Sequence, residues 1–247
     1  LLLLIALIAS LAMGCTKEEP VIEETPEVEE APPEEEAPEV EEDLNITTDI
    51  VVIGAGGAGL TAALEAKNAG KDVIVVEKMP MVGGNSLRAT GGLNAAGTPQ
   101  QEALGIEDSA EIHYEDTMKG GYEKNDPELV KTLTTDAPKA VEWLISIGAD
   151  LSDVGKLGGS TNNRSHRPTG GAPVGPHIVE VLKENIEKEN IEILLKTEAT
   201  EILYEDNMVK GITAKDNEGN IITIEAKAVI IATGGFSANS EMVTELN

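Results

Sequence analysis

The stretch Asp49-Ile50-Val51-Val52-Ile53-Gly54-Ala55-Gly56-Gly57-Ala58-Gly59-Leu60 decides the fold. Its first five residues are apolar after the Asp and mostly β-branched, and they run straight into glycines. That is the pattern of a short strand buried on both faces. Gly54, Gly56 and Gly59 then fall at the spacing GxGxxG, and Leu60 to Asn68, rich in Ala and Leu, reads as a helix closed by Gly70. A second buried strand follows at Val73 to Val76, with Glu77 at its end, 23 residues after Gly54. Strand, glycine turn, helix, strand and terminal acid together make the dinucleotide-binding fingerprint in its proper context. Gly54 permits the tight turn, Gly56 lets backbone approach a pyrophosphate, and Gly59 lets the helix pack on the strand. The helix start offers free N–H groups and a positive dipole end to phosphate. The Glu77 carboxylate is suited to accept from both ribose hydroxyls and repels a 2′-phosphate, which disfavours NADP.

Working outward, residues 79–105 are glycine-rich and loop-like. Asp126-Pro127 starts a helix, with Asp as N-cap and Pro at the first position. Apolar residues recur at Val130, Leu133, Val141, Leu144 and Ile145. Pro138 interrupts them, so two helices are expected, the second ending at Gly148. A second glycine-rich loop covers 155–176, a helix runs from His177 to Lys188, and a strand from Ile191 to Leu195. Ala199 to Tyr204, Val209 to Ala214 and Ile221 to Glu225 read as a small antiparallel meander, with Asn217-Glu218-Gly219 in its last turn. Ala228 to Ala232 reads as another buried strand, ending in Thr233-Gly234-Gly235. The fold class expected is α/β, a Rossmann-like domain with a parallel sheet and a small antiparallel β-meander.

Composition bounds the function. The 247 residues hold 45 Asp and Glu against 18 Lys and Arg, a net charge of −27. Nucleic acid is thereby disfavoured as a partner, because phosphate backbones need clustered cations. One Cys excludes a disulfide framework and a cysteine-built metal site within these residues, and no metal-ligand set is expected. Residues 17–43 carry 14 acids and a single Lys in a Glu/Pro-rich run, so residues 16–46 are expected to be a disordered tether. Ahead of it, the apolar run Leu1 to Met13 is too short to span a bilayer. It reads as the core of a secretory signal ending in Leu11-Ala12-Met13-Gly14-Cys15. This resembles the lipobox of bacterial lipoproteins, which implies lipidation of Cys15 and an extracytoplasmic, lipid-anchored protein. Residues 1–15 are thus expected to be the signal, and 47–247 the folded domain.

The fingerprint is shared by FAD and NAD. A long glycine loop after Glu77 suits a flavin, whose ring extends away from the pyrophosphate and needs close backbone approach. Several segments together decide: Gly83-Gly84-Asn85-Ser86, Ala89-Thr90-Gly91-Gly92-Leu93-Asn94-Ala95-Ala96, Asp116 to Gly121, Asn163 to Gly171 and Ile230 to Phe236. With the glycine turn, they resemble the flavoproteins of soluble fumarate reductases of the flavocytochrome c type and urocanate reductases. That family is kin to succinate dehydrogenase flavoproteins. The resemblance covers about residues 48–247.

It implies FAD, with Gly54, Ala55, Gly56, Gly57, Ala58 and Gly59 on the pyrophosphate, Glu77 on the ribose and Lys78 within the cofactor-binding set. Asn85, Ser86, Gly91 and Gly92 pass along the flavin, Ala199 meets the adenine, and Thr233 and Gly234 pass the dinucleotide again. The membrane-bound relatives attach FAD through a His before the AxGG motif. None lies between Glu77 and Ile112, so noncovalent FAD is expected. There is no CxxCH, so electrons come from an external donor: a cytochrome, a quinol-linked protein or an FMN-bearing domain.

The resemblance further implies an α/β FAD-binding domain cut before its capping domain, with the catalytic residues beyond Asn247. The activity it implies is reduction of the activated C=C of a small unsaturated carboxylic acid, fumarate to succinate being the type reaction. Urocanate or another enoate is the alternative substrate. A non-catalytic FAD-binding lipoprotein is the alternative of another class.

Of three Arg in the chain, two lie in Arg164-Ser165-His166-Arg167. That cluster reads either as a positive loop near the cofactor or an anionic substrate, or as a brace against nearby carboxylates. The residues expected beside the substrate are Gly92, His166 and Arg167. His113 and His177 are expected to be structural, and Trp143 to lie in the core.

Overall fold

In the computed structural model, residues 44–246 are described. Strand β1 (Leu44–Ile53) leads into α1 (Gly57–Asn68) and β2 (Val73–Glu77). A 3-10 turn at Ser86–Arg88, β3 (Leu93–Asn94), α2 (Pro99–Ala103), α3 (Ala110–Gly120) and α4 (Pro127–Ser146) follow. Then come β4 (Asp153–Gly155), β5 (Ser165–Arg167), α5 (Val174–Lys188) and β6 (Glu192–Leu195). Strands β7 (Glu198–Glu205), β8 (Met208–Lys215) and β9 (Ile221–Ile231) precede α6 (Ser240–Leu246). The leader, Cys15 and the tether up to residue 43 lie outside the described residues.

Six strands form one sheet in the order β6-β2-β1-β9-β8-β7. The first four are mutually parallel, and β8 and β7 add antiparallel. Two apolar layers clamp the parallel part. Val52, Val73 and Val75 point to the helices, packing with Leu60, Leu64, Val141, Leu182 and Ile186. Val51, Ile74 and Val76 point the other way, onto Ile212, Ala214, Ile222 and Ile224 of the meander. Side chains alternate between faces and both faces are covered, so these strands read as unbroken apolar runs. Each fully buried Val contributes about 1.5–3 kcal/mol.

Several expectations are corrected. β1 begins at Leu44, inside the expected tether, because Leu44 to Ile46 pair with Ile222 to Ile224 of β9 and Ile46 packs on the meander-side core. The meander's third strand and the strand expected at Ala228 to Ala232 are one element, β9. Its first half pairs with both β8 and β1, and its second half with β1 alone. That second half is not buried as expected, and Ile231 is 64% exposed.

Pro138 does not divide α4, which runs unbroken through it. Val130, Thr134, Val141 and Leu144 hold one buried stripe across the proline, and that packing offsets the one lost N–H donor. The stripe omits Leu133, which is 56% exposed. The two glycine loops also contain structure: β3, β5 and β4 form a three-stranded antiparallel sheet. α2 starts with a reciprocal capping box between Thr98 and Gln101.

The expected helix ends are met. After α1, Gly70 at φ +74° lets Gly70 N donate to Lys67 O and Lys71 N to Ala66 O. The same pair of bonds closes α4 around Gly148. Among the described residues, no helix is long and apolar enough to cross a membrane.

Candidate cofactor site

The site forms where the parallel strands end. Gly54 N donates to Val76 O at 2.8 Å and Ala232 N to Ile53 O at 2.8 Å, so the ends of β1, β2 and β9 are tied together. Gly54 sits at φ +104°, and a Cβ on it would lie 2.6 Å from Ala232 O. A Cβ on Gly59 would overlap Gly54 O. Glycine at these two positions is therefore a steric requirement. It brings the first turn of α1 directly over the end of β1. No side chain caps the helix at Gly56. Ser86 Oγ accepts from Gly57 N at this helix start, at 3.1 Å. An open helix N-terminus of this kind receives phosphate.

Glu77 closes the next side. It is buried, its Oε2 accepts from Ala55 N at 2.8 Å, and its Oε1 accepts from Met79 N at 2.8 Å. Each oxygen keeps a second lone pair, suited to a ribose hydroxyl. Thr197 N donates to Glu77 O at 3.0 Å and Lys196 N to Met79 O at 3.1 Å. These bonds draw the start of β7, with Ala199, beside Glu77. The exposed Lys78 lines a groove of about 570 Å³ there with Lys196, Glu198 and Lys215. On the opposite side, Thr233 and Gly234 follow β9 past Gly54, and Thr233 Cα is among the atoms a Gly54 Cβ would meet.

The segment from Asn85 to Gly92 is held by α5. Gly83 N donates to Ala55 O at 2.8 Å, returning the chain to the glycine turn. Gly175 N donates to Ala89 O at 2.9 Å and Val174 N to Gly91 O at 3.3 Å. A Cβ on Gly175 would overlap Ser86 O. Gly175 is thus a site-forming residue that the sequence reading missed. Its signal was a glycine in the first turn of an otherwise regular amphipathic helix. Gly92 then lies against β5, its absent Cβ overlapping Ser165 Oγ and lying 2.7 Å from His166 O.

The Arg and His cluster divides into two roles. Arg164 is a buried brace. Its Nε and Nη2 donate to the two oxygens of Asp108 at 2.8 and 3.0 Å, and Nη2 also reaches Asp116 Oδ2 at 2.9 Å. Asp108 further accepts from Gln101 Nε2 at 3.1 Å.

The His166 side chain, expected beside the substrate, is enclosed within the fold. It is fully buried, with Nδ1 2.9 Å from Arg164 O and 3.2 Å from Leu93 O. Both neighbours are acceptors, so Nδ1 carries the proton. Nε2 accepts from Thr98 Oγ1 at 2.8 Å. Burial holds His166 below the usual histidine range. It fastens β5 to the α2 cap and to β3. Arg167 lies on the opposite face of β5 and has no carboxylate partner among the described residues; Nη1 lies 3.5 Å from Gly171 O.

His177 Nε2 accepts from Asp150 N at 2.9 Å, a structural role. His113 is buried, and burial first, then the nearby Arg164 cation, hold it below the usual range. Trp143 packs on the helical core, and its Nε1 donates to Glu65 Oε1 at 2.8 Å. Among the described residues no cluster of His, Cys, Asp or Glu could hold a metal.

The residues fit a flavin dinucleotide: a steric glycine cradle, an uncapped helix start, an acid at the ribose position and a close backbone path beyond it.

A family model described as an FAD binding domain matches residues 49–247. The chain is 50% identical over 202 residues to the fumarate reductase (cytochrome) of Shewanella frigidimarina, covering 81% of this chain and 35% of that protein. It is 37% identical over 209 residues to the urocanate reductase of Eggerthella lenta, covering 83% and 34%. The solved open conformation of a flavocytochrome c3 fumarate reductase superposes with a TM-score of 0.76 at 41% identity, covering 81% of this chain and 36% of that one. The chain thus spans about a third of the length of the relatives it matches.

Proposed function

We propose, from the premise that this chain belongs to the FAD-binding domain family, that it is the FAD-holding part of an oxidoreductase. Its reaction is reduction of the activated C=C bond of an unsaturated carboxylic acid, with fumarate to succinate as the type reaction. The observation that carries the reading is the unbroken path from the glycine turn through Glu77 and Ser86 to Gly92. The relative at 50% identity, itself a fumarate reductase, supports it.

When bound, FAD supplies the two-electron hydride chemistry. The chain's own residues bind and orient. The start of α1 and Ser86 receive the phosphates, and Glu77 fixes the ribose while it stiffens the glycine turn. The Asn85–Gly92 backbone, clamped by α5, would hold the ring portion of the cofactor. The binding is noncovalent, since no His lies between Glu77 and Ile112. Residues of the whole protein beyond this chain orient and protonate the substrate. The electron donor is external to these residues. Lipidation at Cys15 would anchor the protein to a bacterial membrane outside the cytoplasm.

A second substrate, urocanate, is favoured by the 37% identity to a urocanate reductase. Oxidation of reduced viologen by the full-length, flavin-loaded protein, with fumarate, urocanate or no acceptor, tests the reading. Fumarate-dependent oxidation supports it, and urocanate-dependent oxidation selects the second substrate. Acceptor-independent behaviour throughout assigns a non-catalytic FAD-binding protein instead.

A further inference from the structure

We propose that Ser165 and Arg167 form a binding pair for a negatively charged or carbonyl oxygen at the edge of Gly92. The pair deepens the reading given under Proposed function and rests on it.

Residues 165 and 167 share one face of β5, and His166 occupies the other. The two faces are used differently. On the His166 face both ring nitrogens are engaged: Nδ1 with Arg164 O and Leu93 O, Nε2 with Thr98 Oγ1. Arg164, just before, is committed to Asp108 and Asp116. On the other face, Ser165 Oγ and Arg167 Nε are buried and have no hydrogen-bond partner among the described residues. Ser165 is wholly buried. Arg167 has no acid within 4.0 Å among the described residues, in contrast to Arg164.

Both side chains close on Gly92. The Cβ that Gly92 lacks would overlap Ser165 Oγ and would lie 2.9 Å from Arg167 Cγ. Buried donors without partners are rare and unfavourable. Two of them, one on a guanidinium, beside a glycine on the expected flavin path, mark a place where a ligand oxygen completes the set. A guanidinium Nε–H and a hydroxyl both donate, so the shared partner is an acceptor oxygen, of a carboxylate or a carbonyl. Two ligands bring such an oxygen to Gly92: the carbonyl edge of the flavin ring and a carboxylate of the substrate.

The test uses the full-length, FAD-loaded protein and its Ser165→Ala and Arg167→Lys variants, with Arg164→Lys as a control for loop stability alone. Arg167→Lys keeps the charge and removes Nε. Two quantities are read: the flavin midpoint potential by spectroelectrochemistry, and succinate affinity by the flavin difference spectrum. If the acceptor is the flavin edge, both variants shift the oxidised-to-reduced ratio at fixed potential about tenfold, ~30 mV for a two-electron couple. Succinate affinity then stays unchanged. If the acceptor is a carboxylate, succinate binding weakens about tenfold and the potential stays. Variants that keep both quantities within twofold and differ only in melting temperature overturn the pair. Failure of the functional reading is seen separately, as absence of acceptor-dependent turnover in the unsubstituted protein. The potential arm requires only bound FAD.

Discussion

The carboxylate of Glu77 accepts a hydrogen bond from the backbone N–H of Ala55 at 2.8 Å, across 22 residues of sequence. The last residue of β2 therefore fixes the conformation of the turn that follows β1. Under the function proposed above, the acid that would hold the ribose is also the strut of the glycine turn, which would couple cofactor affinity and local stability at one side chain.

Glu77→Gln tests that coupling. Both Glu77 oxygens accept backbone N–H groups. An amide supplies only one acceptor oxygen and presents N–H to the other donor. The expected cost is about 1–3 kcal/mol in urea unfolding. FAD affinity, read by flavin fluorescence titration, should fall at least about tenfold, since one ribose acceptor is lost as well. Unchanged stability with weakened binding would separate the two roles.

Arg164→Met leaves the carboxylate of Asp108 buried without its guanidinium. Breaking one half of a buried pair typically costs about 3–5 kcal/mol, whereas replacing both halves with apolar groups costs far less. The double variant Arg164→Met/Asp108→Leu should therefore recover most of the loss in denaturant midpoint. If the single and double variants are equally unstable, the brace has another origin.

His113 and His166 are both held below the usual histidine range, chiefly by burial. An unfolded chain takes up these protons near pH 6.5. The folded protein resists until the pH is lower. As pH falls below about 6.5, the unfolded state binds more protons than the folded one, so stability declines down to the folded values. Around His113 the charged groups are Arg164, Asp108 and Asp116; burial is the leading cause of the lowering, the cation adds to it and the two acids oppose it. The denaturant midpoint should fall between pH 7 and about pH 5.5, and a His113→Gln/His166→Asn double variant should flatten that slope. A slope unaltered by the double variant would assign the decline to carboxylates.

Pro138→Ala restores an N–H within a helix that runs from Pro127 to Ser146. Proline in a helix interior costs about 3 kcal/mol when nothing compensates. The substitution should raise the melting temperature while leaving FAD binding unchanged. A drop in stability would show that the proline shapes the buried stripe of α4.

Much of this was legible in residues alone. The glycine turn, the strands on either side of α1 and the acid ending β2 follow from local sterics and from apolar runs covered on both faces. The helix ends at Gly70 and Gly148 follow from the left-handed backbone that glycine adopts there. The small sheet of β3, β5 and β4 was not legible, because strands of two or three residues carry no periodicity. Pro138 misled because local breaking tendency was weighed without the burial that overrides it. Gly175 was passed over because its partner, Ser86 O, is 89 residues away in sequence.

The sequence by itself determined the βαβ unit, the glycine turn with its terminal acid and the FAD family resemblance. Those depend on short-range rules of backbone freedom, capping and alternation. Only the tertiary structure decided which polar side chains are spent and which are free. Arg164 and Arg167 stand three residues apart with the same chemistry. Arg164 is paired with Asp108 and Asp116 through Nε and Nη2, whereas Arg167 has no acid partner and a buried Nε without a partner among the described residues. The reason is physical: a guanidinium's role is set by the acids the fold brings to it, and Asp108 comes from 56 residues away.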